Sequence, residues 1–491
     1  MVKYIKSEKG MALPTVIMVM LISFTLCASV LALADSQTRT EITYESSTKA
    51  LHAAEAGINY YLWGLNKDEA TVELNTVIKY PDINPEYAFI LKDKVNDAGL
   101  KEITSTGWAL HSPDITRSIN ATLRKKTFTE HVYFTDTEDS NIVWTSGEVC
   151  YGPLHTNTSL NISGIPKFFG KVTYVESLNG YQQKDKHNIF IGGEEKIPYM
   201  QKDVDNSHLM TRAKTNGYYF EGRTSIMMNP DGTLDIWCVK GTNPNGENPT
   251  LVNTTDVLYN CPLPENGVIY VNVHGSGNDT SGTFNENAGN AFVSGKLSGR
   301  LTIASNQDIY ITDYNPTKKY YNQRGPETNG VTYANIDFQF VPSQNKHDVI
   351  GTGDDMLGLV ANRDVLLLTR GWFKDGGTKY KYYDWTQGKE VEVINEDEYT
   401  GRSAHGDINV HAAVMAMNGS FGNPNYTYSP NTNPQGKVIL RGSLIQDKRA
   451  AVGQGSTGYK KDYSHDTRMF TTEPPYFPQP VNAGWEITSW E

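Results

Sequence analysis

Cysteine is scarce in this chain, with four in 491 residues. Cys27 falls inside an apolar run, and Cys150, Cys238 and Cys261 are left as an odd set with no CxxC spacing. They allow at most one disulfide, so a disulfide-built scaffold and a cysteine metal site are both unsupported. No cluster of Lys and Arg offsets the formal net charge of −11, which argues against nucleic acid as a partner. GxSxG, HExxH, Walker A and a GxGxxG at a strand-to-helix junction are all missing. The expectation is therefore a protein that is not an enzyme, with no cofactor and no resident metal. Two further absences lie at the start of the chain: no charged residue between Met11 and Ala34, and no proline from 15 to 80.

What fills that start is a helix. The leader MVKYIKSEKG carries Lys3, Lys6 and Lys9 against Glu8, a balance that holds it on the cytoplasmic side. The apolar run of residues 11–34 spans roughly 30 Å or more at about 1.5 Å per residue, enough to cross a hydrocarbon core. Pro14 lies near the helix start, where its fixed φ suits a first turn. Beyond the run, Leu51, Ala54, Ile58, Tyr61, Leu62 and Leu65 recur at three- and four-residue spacing, with Glu41, Glu45, Lys49 and Glu55 between them. One helix from Met11 to about Leu65 would be on the order of 80 Å long. A secretory signal cut at Ala32-Leu33-Ala34 is the alternative.

Lys9-Gly10-Met11-Ala12-Leu13-Pro14-Thr15 followed by an apolar run resembles the class III leader of type IV prepilins. The run Ala53-Ala54-Glu55-Ala56-Gly57 resembles the signature of PilX-type minor pilins. The resemblance implies cleavage between Gly10 and Met11 by a prepilin peptidase, N-methylation of Met11, and assembly with other pilin subunits and the pilus machinery. It also implies a precursor spanning the inner (cytoplasmic) membrane once, leader inside and C-terminus outside, and a mature subunit at the cell surface. Thr15 and Glu55 are the assembly positions. Major pilins carry Glu where this chain has Thr15, a carboxylate that would neutralise a neighbouring amino terminus. A buried ammonium without that partner is costly, so Thr15 points to a tip or initiation role. The plainer reading is a helix cap.

The expected fold class is α+β. The leader is 1–10, the membrane-spanning half of the helix 11–34 and its exposed amphipathic half 35–66. Residues 67–126 form a small pilin-like sheet, with strands at Ile103–Leu110 and Thr116–Arg124 about a Ser112-Pro113-Asp114 turn. Residues 127–491 are many short strands with no convincing amphipathic helix. Leu301–Ile311 aligns with Leu357–Leu367 and, more weakly, Ala413–Phe421, each bending at an Asn: Asn306, Asn362 and Asn418. Strand, Asn turn, strand is one bend of a right-handed parallel β-helix, with further rungs at 267–273, 407–410 and 436–445 and inserts at 318–332 and 374–403. An antiparallel β-sandwich is the alternative.

Candidate chemistry in this region is sparse. His155 reads as a ligand or general base, or as a hydrogen-bonded strand histidine. Asp348, Asp354 and Asp355 make a loose calcium loop or a solvated turn. Arg449, Asp462, Asp466 and Arg468 read as a polar network pinning the tail, or as a ligand cleft. Trp372, Tyr380, Tyr382, Tyr383 and Trp385 could stack on the sugars of surface glycans or pack on themselves. The functional classes are a minor pilin-like surface subunit, a membrane-anchored carbohydrate-binding module, and a β-helix polysaccharide-active enzyme. No ligand-binding residue is assigned.

Overall fold

The computed structural model describes residues 12–67, 72–80, 85–95, 101–202, 207–238, 258–275, 287–312, 330–367, 372–373, 379–384, 389–394, 407–424, 426, 436–454, 457–480 and 484–490. They fall into two compact units, Met1–Lys125 with Gly484–Glu491, and Lys126–Ala483.

The first unit is built on one helix, Ala12–Lys67, of 56 residues. Residues 13–45 of it are exposed, and it is long and apolar enough to cross a membrane. Hydroxyls in the apolar stretch bond back to the helix, Thr25 Oγ1 to the Ile22 carbonyl at 2.9 Å and Ser29 Oγ to that of Thr25 at 2.7 Å. Their polarity is thereby met without water. The second half buries Ala50, Ala53, Ala54, Ile58, Tyr61 and Leu65. The apolar stripe expected from the sequence is rotated, because Leu51 is 41% exposed and Leu62 only partly covered. Small residues replace them at the contact for the steric reason given below.

That face packs on an antiparallel sheet of Val77–Tyr80, Tyr87–Val95, Lys101–Ala109, Ser112–Lys125 and Trp485–Trp490, in that order. Two details differ from the sequence reading. Ser112-Pro113-Asp114 lies within a strand, and the pairing jumps from Trp108↔Thr116 to Ala109↔Ser112, a bulge that accommodates a proline. Trp485–Trp490, read as the end of the 127–491 region, is the fifth strand of the small sheet. Its amide at Trp485 donates to Asn66 Oδ1 at 2.7 Å, and Glu486 pairs with Arg124 at 2.6 Å.

The second unit is mainly β, dominated by a 22-stranded sheet. Ten strands in it run parallel in spatial order: Tyr218–Glu221, Val268–Asn272, Arg300–Ser305, Met356–Ala361, Ile408–Ala416, Gly436–Lys448, Tyr133–Thr137, Leu154–Thr156, Val172–Tyr174 and Glu194–Lys196. At ~4.8 Å between strands such a ladder covers about 43 Å. A second parallel ladder joins Thr224–Met228, Ala291–Leu297, Ile309–Ile311, Val365–Leu367 and Phe421–Gly422. A third includes Gly330–Tyr333, Ile408–Ala416, Gly436–Lys448, Thr457–Ser464, Val149–Tyr151 and Lys167–Phe168. The registers are parallel, so the antiparallel sandwich is set aside.

The internal repeats stack on one another. Leu301 faces Leu357, Ile303 faces Leu359 and Ile309 faces Val365. In the third copy Leu359 faces Val414, one residue out of the sequence alignment, and the alignment is regained after the corner, where Val365 faces Phe421. At the corner Asn418 Nδ2 donates to Asn362 Oδ1 at 3.0 Å. Inward side chains of all three ladders form one apolar cluster running from Val132 to Tyr463. The end of the first proposed insert, residues 330–332, belongs to a strand of the third ladder rather than to a loop. In the second, Lys379–Asp384 pairs antiparallel with both Trp372–Phe373 and Lys389–Ile394 in a separate sheet; the rest of both inserts lies outside the described residues.

The spatial order breaks the chain order once. The stack begins in its middle at Tyr133, runs to Lys196, then restarts at the opposite end at Tyr218 and returns to close against Tyr133. The connection passes back along the first ladder, where the Met200 amide donates to Asn157 Oδ1 at 2.9 Å and Lys202 bonds the Met417 carbonyl at 2.8 Å. It ends in the helix Ser207–Asn216, which the sequence reading missed because only Leu209, Met210 and Ala213 are apolar. Leu209 and Ala213, one turn apart, are buried with Val268 and Tyr270.

Candidate functional site

The residues expected to act in assembly are placed unevenly. Gly10 and Met11 lie outside the described residues. Thr15 is at an exposed position in the first turns of the helix. Glu55 is half-buried, and its Oε2 lies 3.1 Å from Nδ1 of His52 on the same helix. The residues around Glu55 are steric. A Cβ on Gly107 of the sheet would meet the Ala54 amide nitrogen at 2.3 Å and the Ala50 carbonyl oxygen at 2.6 Å. A Cβ on Gly57 would meet the Phe89 ring at 2.9 Å. Helix and sheet approach to backbone contact here, so the Ala-Ala-Glu-Ala-Gly run is what lets the helix dock.

In the second unit, the chemistry gathers on the outer face of the third ladder. Lys296 is in register with Thr332, His411 with Arg441, Arg441 with Ser464, and Ser464 with Tyr151. The hairpin Ile336–Val341 and Lys346–Gly351 folds over this row. Phe338 meets the His411 ring edge-on at 5.0 Å, and Tyr151 meets that of His347 at 5.1 Å. Between row and hairpin is a cavity of about 520 Å³ lined by Lys296, Thr332, Phe338, His411 and Arg441 among others, a size typical of small-molecule sites.

Both histidines are held neutral. Burial and the Arg441 guanidinium bring His347 down to about 4. Burial, then Arg441, Arg468 and Lys296, bring His411 down to about 3. Arg441 Nη2 lies 3.3 Å from His347 Nε2, and Ser464 Oγ lies 3.1 Å from Nδ1. With the guanidinium donating to Nε2, Nδ1 carries the proton. The unfolded chain takes up two protons near pH 6.5 that the fold refuses until about pH 3 to 4. Stability is then complete above pH 6.5 and is lost as pH falls, on the order of a few kcal/mol by pH 4. Denaturant midpoints of the full chain at pH 7 and 4.5 check this, and His347→Phe with His411→Phe should flatten the difference. An imidazole and a guanidinium in the mainly apolar runs Ile408–Ala416 and Val438–Ile445 were the sequence signal for this face, and they were missed.

A second polar group lies inside the core where the stack closes. Arg449 Nη1 contacts Glu138 Oε2 at 2.6 Å with both side chains buried, and Lys461 Nζ contacts Glu148 Oε1 at 2.6 Å. Tyr133 Oη donates to Glu138 Oε1 at 2.7 Å, and Gln446 Nε2 donates to the Tyr133 and Thr135 hydroxyls. Arg449 and Lys461 both face the Trp144 ring.

The network expected from Arg449, Asp462, Asp466 and Arg468 is three separate pairings. Asp462 accepts from Arg441 at 3.0 Å. Asp466 caps the short helix Thr467–Phe470 and pairs with Arg468 at 2.6 Å. Arg468 also donates to the Asp355 carbonyl at 2.9 Å, so it does tie the tail to a rung. Asp355 accepts from the amides of Gly299 and Asn335, and Asp348 pairs with Lys346 at 2.9 Å. His155 is a buried strand histidine, with Thr173 Oγ1 and Asn157 Oδ1 each at 2.9 Å. The four cysteines are free thiols. The side chains of Trp372, Tyr380, Tyr382, Tyr383 and Trp385 lie outside the described residues.

No protein-family model matches the chain, and no curated protein does. Among solved structures, the competence-associated pilin ComZ from Thermus thermophilus is similar over 91% of this chain and 97% of its own, at 11% identity and a TM-score of 0.24. Similarity at that score does not establish a shared fold.

Proposed function

We propose that the chain is a minor pilin-like subunit of the PilX type, in a type IV pilus or a related secretion filament. The observation that carries the reading is the division of the helix. Residues 13–45 are exposed and begin with an apolar membrane-length run, while the rest is docked on a sheet through Ala53, Ala54 and Gly57. A helix of this kind is anchored in lipid as a precursor and can later pack against like helices in a filament. In this reading the leader stays cytoplasmic, prepilin peptidase cuts between Gly10 and Met11, Met11 is N-methylated, and the two units face outward. The second unit is a right-handed parallel β-helix, supported by its three parallel ladders, and its role is display or adhesion rather than catalysis. Mass spectrometry of the mature amino terminus is the test: N-methyl-Met11 is expected, and an intact Met1 or a cut after Ala34 overturns the assignment.

Thr15 supplies the position in the filament. A subunit without a carboxylate there leaves the neighbouring ammonium unpaired, which suits a tip or initiation site. Thr15→Glu is expected to move the protein from filament ends to positions along the shaft, scored by immunogold labelling. An unchanged distribution reduces Thr15 to a helix cap. A membrane-anchored carbohydrate-binding module is the second reading, favoured by the cavity beneath the hairpin.

A further inference from the structure

The cavity under the hairpin contains polar groups that the fold does not use. The Nδ1 of His411, a side chain only 8% exposed, and the Oγ1 of Thr332 are buried with no hydrogen-bond partner. Buried polar atoms are rarely left so unless something absent from the coordinates meets them. Lys296, beside Thr332 in register, has no ion pair among the described residues. The charges that, with burial, hold His411 neutral are those of Arg441, Arg468 and Lys296. Arg441 and Arg468 have carboxylate partners in Asp462 and Asp466, whereas no described carboxylate is bonded to Lys296; Asp337, the carboxylate that also lines the cavity, acts on Arg441. The chamber therefore presents one free ammonium, one free hydroxyl and one free ring nitrogen, with the Phe338 ring edge-on to His411 and Asn335, Asp337 and Asn409 also in the lining.

We propose that this cavity binds a carboxylate-bearing sugar unit, its carboxylate taken by Lys296 and Thr332 and its ring set against Phe338 and His411. A carboxylate replaces the missing counter-charge and accepts from both Lys296 and Thr332. A neutral His411 supplies a donor or acceptor for a ring hydroxyl at no cost in charge. An aromatic face beside polar groups suits a sugar, which offers apolar C–H faces and hydroxyls together. The strands carrying these groups succeed one another at ~4.8 Å, so successive sugar units can meet successive rungs. The inference gives the surface-subunit reading a ligand class, yet its test is separate, since failure to bind would leave processing at Gly10 untouched.

The test uses the full chain in detergent and isothermal titration with three probes: an oligogalacturonate trimer, its fully methyl-esterified counterpart and acetate. The free-acid trimer is expected to bind, with the ester and acetate each at least tenfold weaker. Lys296→Gln, a half-exposed position that leaves the strand intact, should weaken the trimer at least tenfold with an unchanged melting temperature. Thr332→Val should weaken it severalfold, and the His411 ring resonances should shift on addition of trimer. Equal binding of the ester, equal binding of acetate, no binding of the trimer, or an unaffected Lys296→Gln variant each overturns the proposal.

Discussion

Glu138→Gln is expected to destabilise the second unit by about 3–5 kcal/mol, because it strips the charge from the carboxylate that Arg449 is hydrogen-bonded to in the core. The pair has 1% and 0% of its side-chain surface exposed, so water cannot take the carboxylate's place. Nε and Nη2 of Arg449 already lack hydrogen-bond partners, which leaves the guanidinium dependent on Glu138. Tyr133 loses the charged acceptor of its hydroxyl in the same change. The measurement is the denaturant midpoint of the full chain, with the slope monitored to confirm that the transition is still cooperative. The double variant Glu138→Gln with Arg449→Met should recover much of the loss, since it removes the buried guanidinium that the single variant leaves without a counter-charge. A double variant no better than the single one would show that the pair is not coupled.

Gly107→Val should have an effect of similar size on the first unit, about 3 kcal/mol or more. The new Cβ would lie 2.3 Å from the Ala54 nitrogen and 2.7 Å from the Ala53 carbonyl carbon, and backbone cannot yield as a side-chain tip can. The sheet must separate from the helix and open the cluster of Ile58, Tyr61, Phe89 and Leu123. Hydrogen exchange across residues 46–65 reports this directly: protection should fall in Gly107→Val and persist in Leu51→Ser, whose position is exposed. Protection unchanged in Gly107→Val would mean that the close approach contributes little to docking.

Much of this architecture was legible where the signal is local. The apolar run and the spacing after it specify one helix, and the Asn-centred repeats identify segments that stack residue against residue. Partners far apart in the chain were not legible. Glu138 is 311 residues from Arg449, and no periodicity joins strands that pair across such a distance. Trp485–Trp490 returns to the first unit for the same reason, since alternation marks it as a strand without naming its neighbour. Lys461, inward between Tyr459 and Tyr463 in Thr457–Ser464, belongs to the buried cluster and was not singled out from the sequence. The rotation of the helix stripe followed from Gly107, a residue whose role exists only in the packed structure.

The order in which the rungs stack sets a schedule for synthesis. Tyr133–Thr137 emerges early, yet its outer neighbour, Gly436–Lys448, follows about 300 residues later. At roughly 5–20 residues per second that interval is about 15–60 s. Throughout it, the first rungs carry an open edge able to pair with any strand nearby, including the same edge of another nascent chain. A cell making this protein must shield that edge until Gly436–Lys448 arrives, so a holding chaperone for the half-made stack becomes a condition of its yield.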